Sequence, residues 1–232
     1  ANQKALDIAG ITKDSKILGG EIELKDGKLT GILVDNAMLL LEKHIPEIDD
    51  ELAIRYFSDL QKTCFSYGLT SLHDCGISEE TLELLEKAQS QNVLKMKIFA
   101  LMKDDPDYYD RWIKKGRYTN KNITVGGFKV YSDGALGSRG ACLNHDYADK
   151  KGWKGFLLSD RKHFEDLAKK VKNSNLQMCT HAIGDSANRT ILQIYGEVLG
   201  IKNDRRWRIE HAQIVDKNDF DLFGKYSVIP SV

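Results

Sequence analysis

"GGFKVYSDGALGSRGA", residues 126–141, is the stretch on which the fold turns. Phe128, Val130 and Tyr131 have the character of a buried strand. Lys129 and Asp133 nevertheless sit among them, and a glycine-punctuated loop follows at once. Burying an ammonium costs free energy, so a lysine in such a run needs a reason. Either the strand lies at an edge with the side chain reaching solvent, or the lysine is wanted at the strand's end.

Outward from this segment, five more apolar runs repeat the pattern: LTSLHDC (69–75), LKMKIFALM (94–102), LQMCTHAI (176–183), WRIEHAQI (207–214) and YSVIPSV (226–232). Helical spacing separates them. Phe164, Leu167, Ala168 and Val171 fall at i, i+3, i+4 and i+7 after Ser159 as N-cap. Ser78 opens a helix carrying Leu82, Leu85 and Ala88. Ala187, Ile191, Ile194, Tyr195 and Val198 line another, and a helix through Ala53, Phe57, Leu60 and Cys64 stops at Gly68. Strands alternating with helices predict an α/β fold with a parallel sheet, because each parallel crossover needs a helix. No GxGxxG or GxxxxGK[ST] follows a strand, so a (β/α)8 TIM barrel is favoured over a nucleotide-binding doubly wound sheet. Residues 1–48 differ: GEIELKDGKLTGILVD reads as two short strands about a DG turn, an N-terminal excursion packed on a barrel made by residues 49–232.

Composition narrows the function. Lys plus Arg (34) equals Asp plus Glu (34), so no global field attracts nucleic acid or an anionic membrane. No apolar run reaches the roughly 18 residues that span a bilayer. Cys64, Cys75, Cys142 and Cys179 form no CxxC pair and read as buried thiols of a reducing, cytoplasmic compartment. An opening at Ala1 and a close in mid-pattern on KYSVIPSV predict further sequence at both ends.

In (β/α)8 enzymes the chemistry gathers at the C-terminal ends of the strands. Three strands here carry polar residues there: Lys129 with Asp133, His181 with Asp185 beyond it, and Glu210 with His211. Strand alternation puts Lys129, Tyr131 and Asp133 on one face, and His181 and His211 each on one face of their own strand. Each has a plain structural reading. A lone buried histidine usually satisfies core polar groups, Asp185 can cap the following helix, and Glu210 can pair with Arg206 or Arg208. Taken together they point elsewhere. Two neutral imidazoles on successive strands make a nitrogen donor pair for a divalent ion. Burial favours the neutral amine of Lys129, and an amine adds carbon dioxide to give a carbamate, an oxygen donor.

The segments FKVYSDGALGSRGA, THAIGDSANRTILQIY and RRWRIEHAQIV resemble the amidohydrolase superfamily, specifically amidohydrolase family 3 and its N-substituted formamide deformylase-like branch. NQKALDIAGI, GKLTGILVDNA and YGLTSLHDCG match more weakly, so the likeness covers nearly the whole chain. The resemblance implies a metal-dependent (β/α)8 hydrolase of amide-type C–N bonds other than peptide bonds, acting on a small molecule. It implies one or two ions, most often zinc, held by carboxylated Lys129, His181 and His211, all three counted as catalytic. Asp133, Asp185 and Glu210 would support those ligands, and Ser138 and Arg139 in the following loop would contact substrate.

The family's pattern also includes an HxH pair on the first strand and an aspartate on the last, and neither is present. The chain therefore reads as a fragment covering about the second to seventh barrel strands, inactive alone. Another copy, or the missing remainder, would cover its open edges. The alternatives are a non-catalytic fragment or inactive homologue, and a Schiff-base enzyme using Lys129.

Overall fold

The computed structural model describes residues 1–46 and 48–232. In chain order they form α1 (Gln3–Ile8), β1 (Gly20–Lys25), β2 (Lys28–Asp35), α2 (Leu39–Glu42), α3 (Asp50–Ser66), β3 (Ser71–Ile77), α4 (Glu79–Ser90), β4 (Lys97–Lys103), α5 (Pro106–Lys115), β5 (Tyr118–Asn120) and β6 (Ile123–Tyr131). After a long loop come α6 (Arg161–Lys172), β7 (Gln177–Ala182), α7 (Asp185–Leu199), β8 (Arg208–His211), α8 (Phe220–Lys225) and β9 (Ile229–Ser231). The fold is α/β, and the large sheet runs β3-β4-β6-β7-β8-β9 with β5 paired antiparallel to β6. Each of the six apolar runs of the sequence holds one strand of that order. Two compact units divide the chain: Ala1–Pro46 with Tyr131–Leu167 and Thr180–Val232, and Glu47–Val130 with Ala168–Cys179.

In the second of these units β3, β4 and β6 pair in parallel, with Ala100 opposite both Asp74 and Val125. Its helices begin where the chemistry of capping dictates. The Asp49 carboxylate accepts from Leu52 N at 2.9 Å, and the Ser78 hydroxyl accepts from Thr81 N at 3.2 Å. Asp105 accepts from Asp107 N at 3.1 Å, with Pro106 in the first turn, where its missing N–H costs nothing. Phe128, fully buried, meets the Tyr109 ring edge-on at 5.4 Å. Burying a side chain of that kind stabilises by roughly 1.5–3 kcal/mol.

The other unit contains the hairpin β1–β2, whose two-residue turn is Asp26-Gly27 with φ of 52° and 73°. Positive φ at both positions is what a type I′ hairpin turn needs. Residues 134–158 contain no helix or ladder strand, yet they are packed. Ala141, Tyr147 and Ile183 form a small core against Leu136, Leu143 and Trp153. Trp153 Nε1 donates to Arg139 O at 2.8 Å, and the Tyr147 hydroxyl donates to Ala141 O at 2.9 Å.

Local details differ from the sequence reading. Asp160, not Ser159, caps α6, accepting from His163 N at 2.8 Å. A carboxylate there also answers the positive end of the helix dipole, and three lysines answer the other end. Gly184 occupies the N-cap of α7, and Asp185 stands in its first turn. Among the described residues no helix is long and apolar enough to cross a membrane.

Candidate functional site

β6 ends at Tyr131, and the chain turns so that both Ser132 and Asp133 are buried. Strict alternation therefore lapses: Lys129 and Asp133 are buried, while Tyr131 between them is 41% exposed. The Asp133 carboxylate collects three backbone donors. Its Oδ1 accepts from Ile183 N at 3.0 Å, and its Oδ2 accepts from Gly184 N at 2.8 Å and Cys142 N at 2.9 Å. One side chain thus ties the end of β6 to the turn after β7 and to the long loop. Burial pushes its carboxyl up to about 6 against the opposing pull of those three N–H groups, and the charge of Asp35 adds to the rise.

His181 lies on β7 next to this carboxylate. Its Nε2 stands 3.4 Å from Asp133 Oδ1 and 3.4 Å from Gly134 O. A metal-ligating imidazole commonly directs its second ring nitrogen at a carboxylate or carbonyl, which sets its tautomer and tilt. The His211 ring approaches that of His181 edge-on, with centroids 4.7 Å apart. His211 holds φ at 74° and Ala212 at 40°, a conformation costing on the order of 1–3 kcal/mol where nothing enforces it. Here the enforcement is visible. Buried Asn188 donates from Nδ2 to Ala182 O, Gly184 O and Ile214 O, and Ile214 N donates to Ile183 O at 2.9 Å. The chain leaving β8 is thereby bound to the turn that leaves β7.

The remaining sequence candidates fall as follows. Lys129 is 4% exposed on β6, in register with Lys103 of β4. Asp185 accepts from Asn144 N at 2.8 Å and Asn144 Nδ2 at 2.9 Å, holding the loop to the start of α7. Glu210 pairs with Arg208 Nε at 2.6 Å, both largely buried. Ser138 Oγ donates to Ala135 O at 3.1 Å. Arg139 points to solvent and bonds Asp149 Oδ2 through Nε at 3.1 Å and a terminal nitrogen at 2.8 Å, which lowers the Asp149 carboxyl. Two residues that the sequence reading passed over belong with this group: Asn188, and Asp35 at the end of β2. A fully buried asparagine on the apolar face of α7, three places after Asp185, was the available signal.

The family model for the amidohydrolase family matches residues 1–232. The chain belongs to that family. Relatives include "Protein LONG AFTER FAR-RED 3" of Arabidopsis thaliana, 30% identical across all of this chain and 42% of that protein. "Putative amidohydrolase YtcJ" of Bacillus subtilis (strain 168) is 29% identical across 93% of this chain and 41% of its own length. Among solved structures, an uncharacterized metal-dependent hydrolase from Pyrococcus horikoshii OT3 superposes with a TM-score of 0.78 at 26% identity, covering all of this chain and 46% of that one. A Pyrococcus furiosus counterpart gives 0.75 at 23% identity, covering 99% and 46%, and so speaks to the fold alone. The amidohydrolase chain described here spans less than half the length of these relatives.

Family membership raises the question of a divalent ion, and the side chains answer in part. Two imidazoles in edge contact, one aligned through Nε2 by a carboxylate and a carbonyl, are suitable nitrogen donors. Among the described residues no group of three His, Cys, Asp or Glu side chains is placed to hold an ion. Among the described residues a further donor would have to be of another residue type.

Proposed function

We propose that this amidohydrolase chain is part of a metal-dependent hydrolase of small-molecule, amide-type C–N bonds other than peptide bonds, in the N-substituted formamide deformylase-like branch. Lys129, His181 and His211 would hold the ion, most often zinc in such sites, and the chain would supply about the second to seventh barrel strands. The observation that carries this reading is the edge contact of the His181 and His211 rings, 4.7 Å apart, with His211 held at positive φ. A divalent ion held there supplies Lewis acidity and acidifies water toward neutral pH.

The chain's own residues do the preparatory work. Asp133 and Gly134 O orient the His181 ring through Nε2, and that imidazole would serve as one donor to the ion. The enforced backbone at residues 211–212 brings the second imidazole to it. Lys129 is 4% exposed on β6, and its amine in the neutral form would be a nucleophile. That amine attacks the carbon of carbon dioxide, forms an N–C bond and releases a proton, leaving a carbamate oxygen as donor. Asp185, through Asn144, and Glu210, through Arg208, brace the loop and strand that carry these groups. With no HxH pair and no last-strand aspartate in its sequence, the chain would not turn over substrate alone.

Metal analysis by plasma mass spectrometry, on protein purified without chelator, tests the ligand set. Zinc or a similar ion should be retained by the wild type and lost from a His181→Ala, His211→Ala double variant. Equal metal in both proteins would remove these histidines from the site. Bond class is tested in the full-length protein against N-substituted formamides, other amides and dipeptides. Preferential cleavage of dipeptides would overturn the non-peptide assignment.

A further inference from the structure

Asp35 is a carboxylate that the proposed chemistry does not use. It closes β2 at φ 51° and ψ −125°, on the positive-φ side that non-glycine residues adopt only under constraint. Its Oδ2 is buried and accepts no hydrogen bond, and burial raises its carboxyl above the usual range. What lies against that oxygen is backbone. A Cβ added to Gly134 would fall 2.2 Å from Oδ2, and one added to Gly140 would fall 2.1 Å from it. In glycine a hydrogen takes that direction instead. Oδ2 is therefore met by a Cα–H from each of two glycines, the weak contact a carboxylate oxygen can accept where no N–H is available.

Those glycines belong to the site. Gly134 N donates to Gly140 O at 3.2 Å, which closes the start of the loop on itself. Gly134 O faces His181 Nε2 at 3.4 Å, and the residue before it is Asp133. The hairpin end that delivers Asp35 is anchored separately. Asn36 N donates to Gly19 O at 3.0 Å, and Asn36 Nδ2 donates to Leu18 O at 2.8 Å and to Leu158 O at 3.4 Å. We propose that Asp35 is a positioning residue for the candidate metal site: its carboxylate staples Gly134 to Gly140 and so sets the carbonyl that aligns the His181 imidazole. The proposal rests on the ligand role of His181 only for its zinc readout.

The test compares wild type with Asp35→Ala, Asp35→Asn, Gly140→Ala and the Asp35→Ala, Gly140→Ala double variant. Asp149→Ala, which breaks the Arg139 pair in the same loop, is the control. Two quantities are read: Zn²⁺ affinity by competition with a chelator, and the His181 ring ¹⁵N resonances of the metal-free protein, assigned by their loss in His181→Ala. Asp35→Ala and Gly140→Ala should each weaken zinc by about 10–100-fold, as removal of an orienting partner does, and both should shift the His181 resonances. The double variant should be no worse than Asp35→Ala, because the methyl added at position 140 acts by evicting the same carboxylate. Asp149→Ala should change neither quantity. Unmoved His181 resonances in folded Asp35→Ala and Gly140→Ala would overturn the proposal, as would additive losses in the double variant. Asp35→Asn keeps the shape, and it decides the matter with Gly140→Ala should Asp35→Ala fail to fold. Wild-type zinc affinity no tighter than that of His181→Ala would sink the ligand reading instead, leaving the metal-free resonances to judge Asp35.

Discussion

Asp133 shows how one buried carboxylate can be both costly and indispensable. It is 1% exposed, and three backbone N–H groups have it as their acceptor. Asp133→Ala strands those donors, at about 1 kcal/mol or more for each, so a loss of about 3 kcal/mol is expected in denaturant unfolding near pH 5. The loss should depend on pH. Asp133 titrates at about 6 in the fold against an ordinary value of 3.8, so between those values the native state binds the extra proton. Stability from this group is complete below the ordinary value and drains away as pH rises through the folded one. The gap between wild type and Asp133→Ala should accordingly narrow by about 1 kcal/mol from pH 5 to pH 7. A gap that widens over that range would mean that the three N–H donors outweigh burial and hold the carboxyl low.

Strands are where the sequence spoke most clearly, and Gly127 of β6 shows where it fell silent. A Cβ there would meet the Gln177 carbonyl oxygen at 2.1 Å and its carbon at 2.8 Å. Backbone cannot swing aside as a side chain can, so Gly127→Ala should destabilise by roughly 1–3 kcal/mol. A thermal melt of that variant matching wild type would show that β6 and β7 can part at no cost. Apolar runs were enough to find the six strands of the main order, and helical spacing found α3, α4, α6 and α7, because burial imposes those patterns directly; α5 and α8 went unread. β5, only Tyr118–Asn120, left no such trace, since three residues held by pairing with β6 need no apolar run. The approach of His181 and His211 was foreseeable, since strand ends gather their side chains at one rim. Asp35 and Asn188 were not, because their roles come from contacts with carbonyls and glycines distant in sequence, which leave no local periodicity. The Asp160 cap was mistaken by one residue, where two adjacent residues were both competent caps.

At the scale of the molecule, the sheet order β3-β4-β6-β7-β8-β9 has two ends. A closed barrel has none, and an unpaired strand edge is a template for another chain. The β3 end is poorly guarded: in SLHDCGI the first, third and fourth residues are exposed, and no lysine or proline interrupts the run. At the other end β9 is only three residues long, and it carries Pro230, which cannot donate to a neighbour. The two edges should therefore behave differently, with β3 the adhesive one. Light scattering should show concentration-dependent self-association of this chain. His73→Lys, which sets a charge on the exposed part of β3 at the cost of the His73–Phe99 ring contact, should reduce it. A longer form of the protein, if it supplies a neighbour for β3, should remain discrete. Self-association that persists unchanged in His73→Lys, or that appears equally in that longer form, would place the contact elsewhere. A chain monomeric at every concentration would mean that the β3 edge is already covered by residues of its own.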